Sequence, residues 1–144
     1  MNHPNEYTYD AQQQIVTLDS PSEVTVAEII AQNELVVADS AVSRDAGFLI
    51  DLRNGACLLR YDEIHQLLSW HEGRGRPMKG RRAFIVERPI TIATANIYCT
   101  LLRVHGIEAE MFPDQESAMA WLSDTSVHSR IMERDSGHRG ASGF

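Results

Sequence analysis

The stretch of sequence that decides the fold covers residues 82–122 and reads RAFIVERPITIATANIYCTLLRVHGIEAEMFPDQESAMAWL. It opens with a continuous apolar run at residues 83–86, which is typical of a strand covered on both faces. Residues 90–105 follow with apolar side chains at helical spacing, and Gly106 stands where a helix would end. The sequence therefore predicts a buried strand and then a long helix, whose apolar stripe consists of Ala93, Ile97, Leu101 and Val104.

The second half of this stretch predicts another strand and a closing helix. Along residues 107–112, Ile107, Ala109 and Met111 alternate with two glutamates, which favours a strand with one solvent-facing side at a sheet edge. Asp114 is placed to cap the next helix at its positive end. The apolar stripe of that helix consists of Ala118, Trp121 and Leu122.

The sequence predicts further helices and strands before residues 82–122. We locate them by turn residues, a capping box and apolar periodicity. They are two strands at residues 7–9 and 13–18 joined as an antiparallel hairpin, a helix at 25–38, a strand at 48–52 and a helix at 61–71. The expected fold class is α/β, a mixed β-sheet of an N-terminal antiparallel hairpin plus parallel strands, packed with about four helices. We expect a frayed N-terminus at residues 1–5, one domain over residues 6–124 and a disordered tail at residues 125–144.

Composition and charge limit the classes of function. The chain has 144 residues, of which 43% are hydrophobic and 23% are charged, so a single soluble domain with its own core is expected. A net charge of −7 argues against a general nucleic-acid-binding protein. No apolar run reaches the length of a transmembrane segment, and the polar start does not resemble a signal peptide. Cys57 and Cys99 have no short metal-binding spacing, so we expect reduced thiols and a cytoplasmic protein.

Several of these segments resemble those of bacterial STAS-like proteins, a group related in fold to the anti-sigma-factor antagonists and to the STAS domains of anion transporters. The resemblance is carried by FLIDLR at residues 48–53, AFIV at 83–86, Tyr98, GIEAEMF at 106–112 and SAMAWL at 117–122. It implies a mixed sheet with helices packed around it, no enzyme chemistry, and a role as a binding or regulatory module.

One difference from the antagonists concerns phosphorylation. In the antagonists, a strand ending in Asp-Leu is followed by a phosphorylatable serine at the start of the next helix. Here the corresponding strand ends at Asp51 and Leu52, and no serine or threonine lies between Asp51 and Gln66. The resemblance therefore does not extend to control of binding by a kinase.

Recognisable catalytic and cofactor-binding motifs are absent from the sequence, which has no Gly-x-Ser-x-Gly, His-Glu-x-x-His or Cys-x-x-Cys. His65 and His71 are six positions apart and lie on different faces of the predicted helix, so a shared metal ion is not expected. Residues 75–80 have the glycine spacing of a phosphate loop, but they precede a strand and lack its Lys-Ser/Thr pair. We expect no enzyme activity, metal or cofactor, and interpret residues 73–82 as a solvated basic connector, with contact to an anionic surface as the alternative.

An anionic ligand site is expected beyond the carboxyl ends of the strands. In open α/β sheets, ligands gather there against helix N-termini, whose free N–H groups favour anions. These ends carry Arg53 and Asn54 after one strand, and Arg88, Thr91 and Thr94 after its neighbour. An arginine on each loop beside a threonine-containing helix start suits a carboxylate or a phosphate. The alternative is that Thr91 caps the helix while both arginines are solvated.

Two other functions remain open. One is a protein-interaction module, in particular a homodimer, for which Ile90 and Ile92 at the start of the long helix are candidates. The other is a pocket for an apolar ligand or lipid between helix and sheet, for which the fold offers an analogy. The expected partner is therefore a protein, a second copy of the chain, or a small anionic or apolar ligand.

Overall fold

The computed structural model describes residues 7–19, 25–53 and 59–124. In chain order its elements are β1 (Tyr7–Asp10), β2 (Ile15–Asp19), α1 (Val26–Ala38), β3 (Gly47–Asp51), α2 (Tyr61–Glu72), β4 (Arg82–Ile85), α3 (Pro89–Val104), β5 (Ala109–Phe112) and α4 (Gln115–Ser123). The expected frayed N-terminus at residues 1–5 and disordered tail at residues 125–144 lie outside the described residues, as do Asn54 and Cys57.

The described strands form one five-stranded sheet in the order β1-β2-β3-β4-β5. β1 and β2 are antiparallel, and each following pair is parallel. The predicted α/β fold, with an N-terminal hairpin followed by parallel strands, is confirmed, and so is the edge position of β5. The register aligns Val16, Phe48, Arg82 and Ala109 across the parallel strands. Phe48 and Arg82 therefore lie side by side on the same face of the sheet.

Helices α1, α2 and α3 cover one face of the sheet, and α4 covers the other. Phe84 of β4 packs in one cluster with residues of α2 and α3, and Phe48 of β3 packs with Val36 of α1. Ala83 and Ile85 pack instead with residues of α4. Because side chains alternate along a strand, Arg82 shares the three-helix face with Phe84.

Arg81 holds α4 against the second face. Its Nη1 atom donates hydrogen bonds to the carbonyl oxygens of Trp121, at 2.6 Å, and of Asp124, at 3.1 Å. Its Nε atom pairs with the carboxylate of Glu108 at 3.2 Å, and its guanidinium carbon lies 5.2 Å from the centroid of the Trp121 indole. One side chain just before β4 therefore anchors the C-terminal end of α4.

Two predicted helix starts are confirmed by hydrogen bonds. The hydroxyl of Thr25 accepts from the backbone N–H of Glu28, and the carboxylate of Glu28 accepts from the backbone N–H of Thr25, which completes a capping box. The carboxylate of Asp114 accepts from the backbone N–H of Ser117 at 2.8 Å. These contacts satisfy N–H groups that the first helical turn leaves without intrahelical partners.

The residues predicted to form the buried face of α3 are not the ones that pack on the sheet, so this prediction is wrong. Val104 is 74% exposed and Ile97 is 43% exposed, and Ala93 is exposed as well. The helix carries apolar residues around most of its circumference, so spacing alone does not identify the side that meets the sheet. Small side chains at Ala95 and Cys99 let the helix approach the sheet closely, and the core position predicted for Cys99 is confirmed. The buried residues of α3 are Thr91, Ala95, Cys99 and Leu102.

The interpretation of residues 73–82 as a solvated connector is wrong at its C-terminal end. Arg82 is the first residue of β4 and is only 3% exposed. The side chain of Arg81 is also largely covered, whereas Arg74 is solvated and pairs with Glu34 at 2.8 Å. The reason is the alternation of the strand, whose inward face continues from Phe84 back to Arg82.

Candidate functional site

A cavity of about 60 Å³ lies between the sheet and helices α1, α2 and α3, and we call it the helix–sheet cavity. Much of its wall is apolar and includes Leu18, Ile29, Phe48, Ile50, Leu67 and Phe84. Its polar lining consists of Gln32, Asn33, His71, Arg82, Thr91, Thr94 and Tyr98. A concave, mostly apolar space with a few converging polar groups is the usual form of a small-molecule site.

Arg82 places a positive charge in the wall of this cavity. Its guanidinium carbon lies 4.4 Å from the centroid of the Phe48 ring, and Nη1 donates a hydrogen bond to the carbonyl oxygen of Gly80. Within the described part of the chain, no carboxylate forms an ion pair with this side chain. Burial lowers the pKa of Arg82 to about 10, so the guanidinium is still protonated at neutral pH.

His71 and Tyr98 form a second polar contact at the cavity. The Nε2 atom of His71, in the last turn of α2, lies 2.6 Å from the hydroxyl oxygen of Tyr98 on α3. Burial, and after it the nearby charge of Arg82, lower the pKa of His71 to about 3, so the imidazole is neutral at neutral pH. The Nδ1 atom of His71 is buried and has no hydrogen-bond partner among the residues described.

Thr91 contributes a buried hydroxyl group from the first turn of α3. The residue is 1% exposed, and its Oγ1 atom has no hydrogen-bond partner within the described ranges. Thr91 and Tyr98 are seven residues apart on one helix, which places them about 10 Å apart along its axis. The polar groups therefore line the cavity at separate points, with the small side chain of Ala95 between them.

Of the five residues predicted to bind an anion, the structure describes four, and only two of those four line the cavity. Thr91 and Thr94 line the helix–sheet cavity, but Arg53 and Arg88 do not. Arg53 forms a salt bridge with Asp51 at 2.8 Å, which holds the pKa of that carboxyl below its usual range. Arg88 is exposed at the N-cap of α3, so the alternative role of Thr91 as the cap is wrong. Asn54 lies outside the described residues, and anion binding at these positions stays a prediction.

Sequence reasoning missed Arg82, His71 and Tyr98 as members of one site. From the sequence, His71 is considered only as a metal ligand shared with His65, and Arg82 belongs to the basic connector. A signal for Arg82 exists, because it stands two positions before Phe84 and therefore on the same face of β4. No local signal joins His71 to Tyr98, since 27 positions separate them in the chain.

Residues 7–19, 25–53 and 59–124 offer little other chemistry outside the cavity. In these ranges, no group of three or more His, Cys, Asp or Glu side chains is arranged to hold a metal ion. None of the helices described combines the length and the apolar character that a membrane span requires. Cys99 is fully buried, and burial raises the pKa of its thiol to about 12. The helix–sheet cavity itself offers one positive charge, hydrogen-bonding groups and apolar surface.

Comparisons with known proteins do not identify a family. No protein-family model, no curated protein and no solved structure matches this chain. The structure alone therefore defines the fold. Within the described residues it is a five-stranded mixed sheet with four helices packed on it.

Proposed function

We propose that this chain is a STAS-like binding or regulatory module without enzymatic activity, and that it holds a small ligand in the helix–sheet cavity. One observation carries the proposal: the cavity has a largely apolar wall, and the buried guanidinium of Arg82 lines it without an ion-pair partner among the described residues. Isolated buried charges are costly, and proteins normally pair them. A guest molecule with a polar group would interact with Arg82, while its apolar part would contact Phe48 and Phe84.

The STAS-like part of the proposal is supported by the order of the elements. The segment FLIDLR contributes to β3, AFIV to β4, and SAMAWL to α4. An antiparallel hairpin followed by parallel strands, with helices on both faces, is the arrangement that the resemblance implies. A fold of this kind hosts many functions, so the cavity rather than the fold carries the choice of ligand binding.

Native mass spectrometry of the full chain, purified at neutral pH without detergent, tests the proposal. We expect a fraction of the protein to carry an additional small mass that is released on denaturation. Ala95→Leu, which fills the cavity from α3, should abolish this mass, whereas Ala93→Leu on the exposed side of the same helix should keep it. A clean protein mass, together with no stabilisation by any compound in a thermal-shift screen, would refute ligand binding in the cavity.

A second candidate function is self-association through the exposed side of α3. Ile90, Ile97 and Val104 are 59%, 43% and 74% exposed, and their spacing of seven places them on one side of the helix. The one charged residue of α3 is Arg103, so two copies of the helix would meet with little like-charge repulsion. Light scattering tests this candidate: Ile97→Glu should convert a dimer to a monomer, and a monomeric wild-type chain at high concentration would refute it.

A further inference from the structure

The charge of Arg82 requires a partner that the described residues do not supply. The side chain is 3% exposed, and it contacts a backbone carbonyl and the face of Phe48. Isolated buried charges are costly, and proteins normally pair them with an opposite charge. None of the carboxylates in the described part of the chain provides that charge. The missing partner is therefore expected to be a negatively charged group of the guest.

The geometry of arginine favours a carboxylate over other anions. A guanidinium group presents a planar fork of N–H donors, which matches the two oxygen atoms of a carboxylate. Of these donors, Nη1 is used by Gly80, and no hydrogen bond to another described residue occupies the rest of the fork. The fork is therefore open to a guest in the cavity.

The charge of the site favours a single negative charge on the guest. Among the described residues that line the helix–sheet cavity, Arg82 is the one charged side chain. His71 beside it does not add a second positive charge, because burial keeps its imidazole neutral. A dianion such as a phosphate monoester would bring more negative charge into an apolar space than the site neutralises, whereas a monocarboxylate would match it.

The size and lining of the cavity define the rest of the guest. Its volume of about 60 Å³ is well below the ~150 Å³ of an engineered cavity that holds benzene. The apolar wall of the cavity includes the ring of Phe48, which contacts Arg82, the ring of Phe84 and the side chain of Leu67. A short aliphatic body fits this space better than an aromatic ring or a long acyl chain.

We propose that the helix–sheet cavity binds a short-chain aliphatic monocarboxylate, whose carboxylate pairs with the guanidinium of Arg82 and whose alkyl body lies on the apolar wall. The inference rests on the proposed function, since it names the ligand class of the same cavity. In this inference, Arg82 recognises the negative charge of the guest. Its alkyl group is contacted by Phe48, Phe84 and Leu67.

Isothermal titration calorimetry on the full chain in a carboxylate-free buffer tests this inference with acetate as the probe, since acetate has only four non-hydrogen atoms and suits the small volume of the cavity. We expect one binding site for acetate and at least tenfold weaker binding of acetamide, which has a similar shape but no charge. Arg82→Met should weaken acetate binding at least tenfold. Arg60→Gln removes a solvated arginine that pairs with Asp62 at 3.2 Å, and it should leave the affinity unchanged.

A spectroscopic measurement on the wild-type chain covers the case in which Arg82→Met does not fold. The side-chain Nε–H resonance of Arg82 should shift on addition of acetate and not on addition of acetamide. Equal affinities for acetate and acetamide would overturn the inference and leave the cavity as a binding site for neutral guests. No acetate binding, together with a different retained molecule in native mass spectrometry, would overturn it as well and leave the proposed function standing.

Discussion

The Nε2 atom of His71 lies 2.6 Å from the hydroxyl oxygen of Tyr98 and joins the end of α2 to the middle of α3. The preceding residue, Trp70, donates a hydrogen bond from its indole Nε1 to the carboxylate of Glu34 on α1, at 2.9 Å. Two consecutive residues of α2 therefore contact both neighbouring helices. The three-helix layer above the cavity is held together at this point by polar contacts as well as by its apolar core.

The neutral state of His71 predicts that stability falls in acid. The pKa of His71 is about 3 in the folded chain, against 6.5 for the ordinary side chain. Between these values the unfolded chain binds a proton that the folded chain does not, so the free energy of unfolding decreases as the pH falls from 6.5 towards 3. The total loss is on the order of 5 kcal/mol, since one pKa unit corresponds to about 1.4 kcal/mol.

Urea denaturation at a series of pH values measures this effect. His71→Gln removes the titrating group, so the variant should lack this component of the pH dependence while keeping the contribution of the carboxylates. Identical pH dependence of wild type and variant would show that His71 is not buried in its neutral form.

Cys99 is predicted to be chemically inert in the folded chain. The reactive form of cysteine is the thiolate, and burial raises the pKa of this thiol to about 12. In a Cys57→Ser variant, which leaves one thiol, a disulfide reagent should therefore react at the rate of unfolding and rapidly once denaturant is added. Fast labelling of the folded variant would contradict the burial of Cys99.

The orientation of α3 predicts that two substitutions near its C-terminus change the free energy of unfolding by very different amounts. Leu102 is fully buried, so Leu102→Ala should lower the free energy of unfolding by about 2–5 kcal/mol. Val104 is 74% exposed, and Val104→Ala should change it by less than about 0.5 kcal/mol. Chemical denaturation compares the two directly. A larger loss of stability for Val104→Ala than for Leu102→Ala would contradict this orientation and support the buried face predicted from the sequence.

Gly80 marks a close approach between the segment before β4 and the segment before β3. A Cβ atom at Gly80 would lie 1.9 Å from the carbonyl oxygen of Ala46, so the backbone would have to move. Gly80→Ala should therefore cost at least about 2 kcal/mol of stability, as other overpacked sites do. Gly73→Ala is the matched control, because the nearest atom to its Cβ would be at an ordinary 3.5 Å. A thermal melt that ranks the two variants in the reverse order would contradict this packing.

Local signals in the sequence predicted the elements of this fold. The capping residues Thr25 and Asp114 marked helix starts, and the alternation along residues 107–112 marked an edge strand. Each of these features depends on residues that are close in the chain. These local interactions can therefore be predicted without knowledge of the tertiary structure.

The members of the cavity could not be predicted in the same way. His71, Arg82 and Tyr98 come from α2, β4 and α3, and they meet only because the register of the sheet and the orientation of α3 bring them together. The buried face of α3 carries Ala95, Cys99 and Leu102, while Ile97 and Val104 on the same helix are exposed, so hydrophobicity alone does not identify it. Of the arginines predicted to meet an anion, Arg88 is exposed at the N-cap of α3, and the half-buried Arg53 already has a partner in Asp51.

A single peptide bond separates the two arginines that serve opposite layers of the molecule. Arg81 fastens the backbone of α4 at Trp121 and Asp124, while Arg82 lies in the cavity beneath the other three helices. If a ligand in the cavity displaced the backbone of Arg82, the adjoining residue that anchors α4 would have to move with it. The start of β4 would then couple the two faces of the sheet.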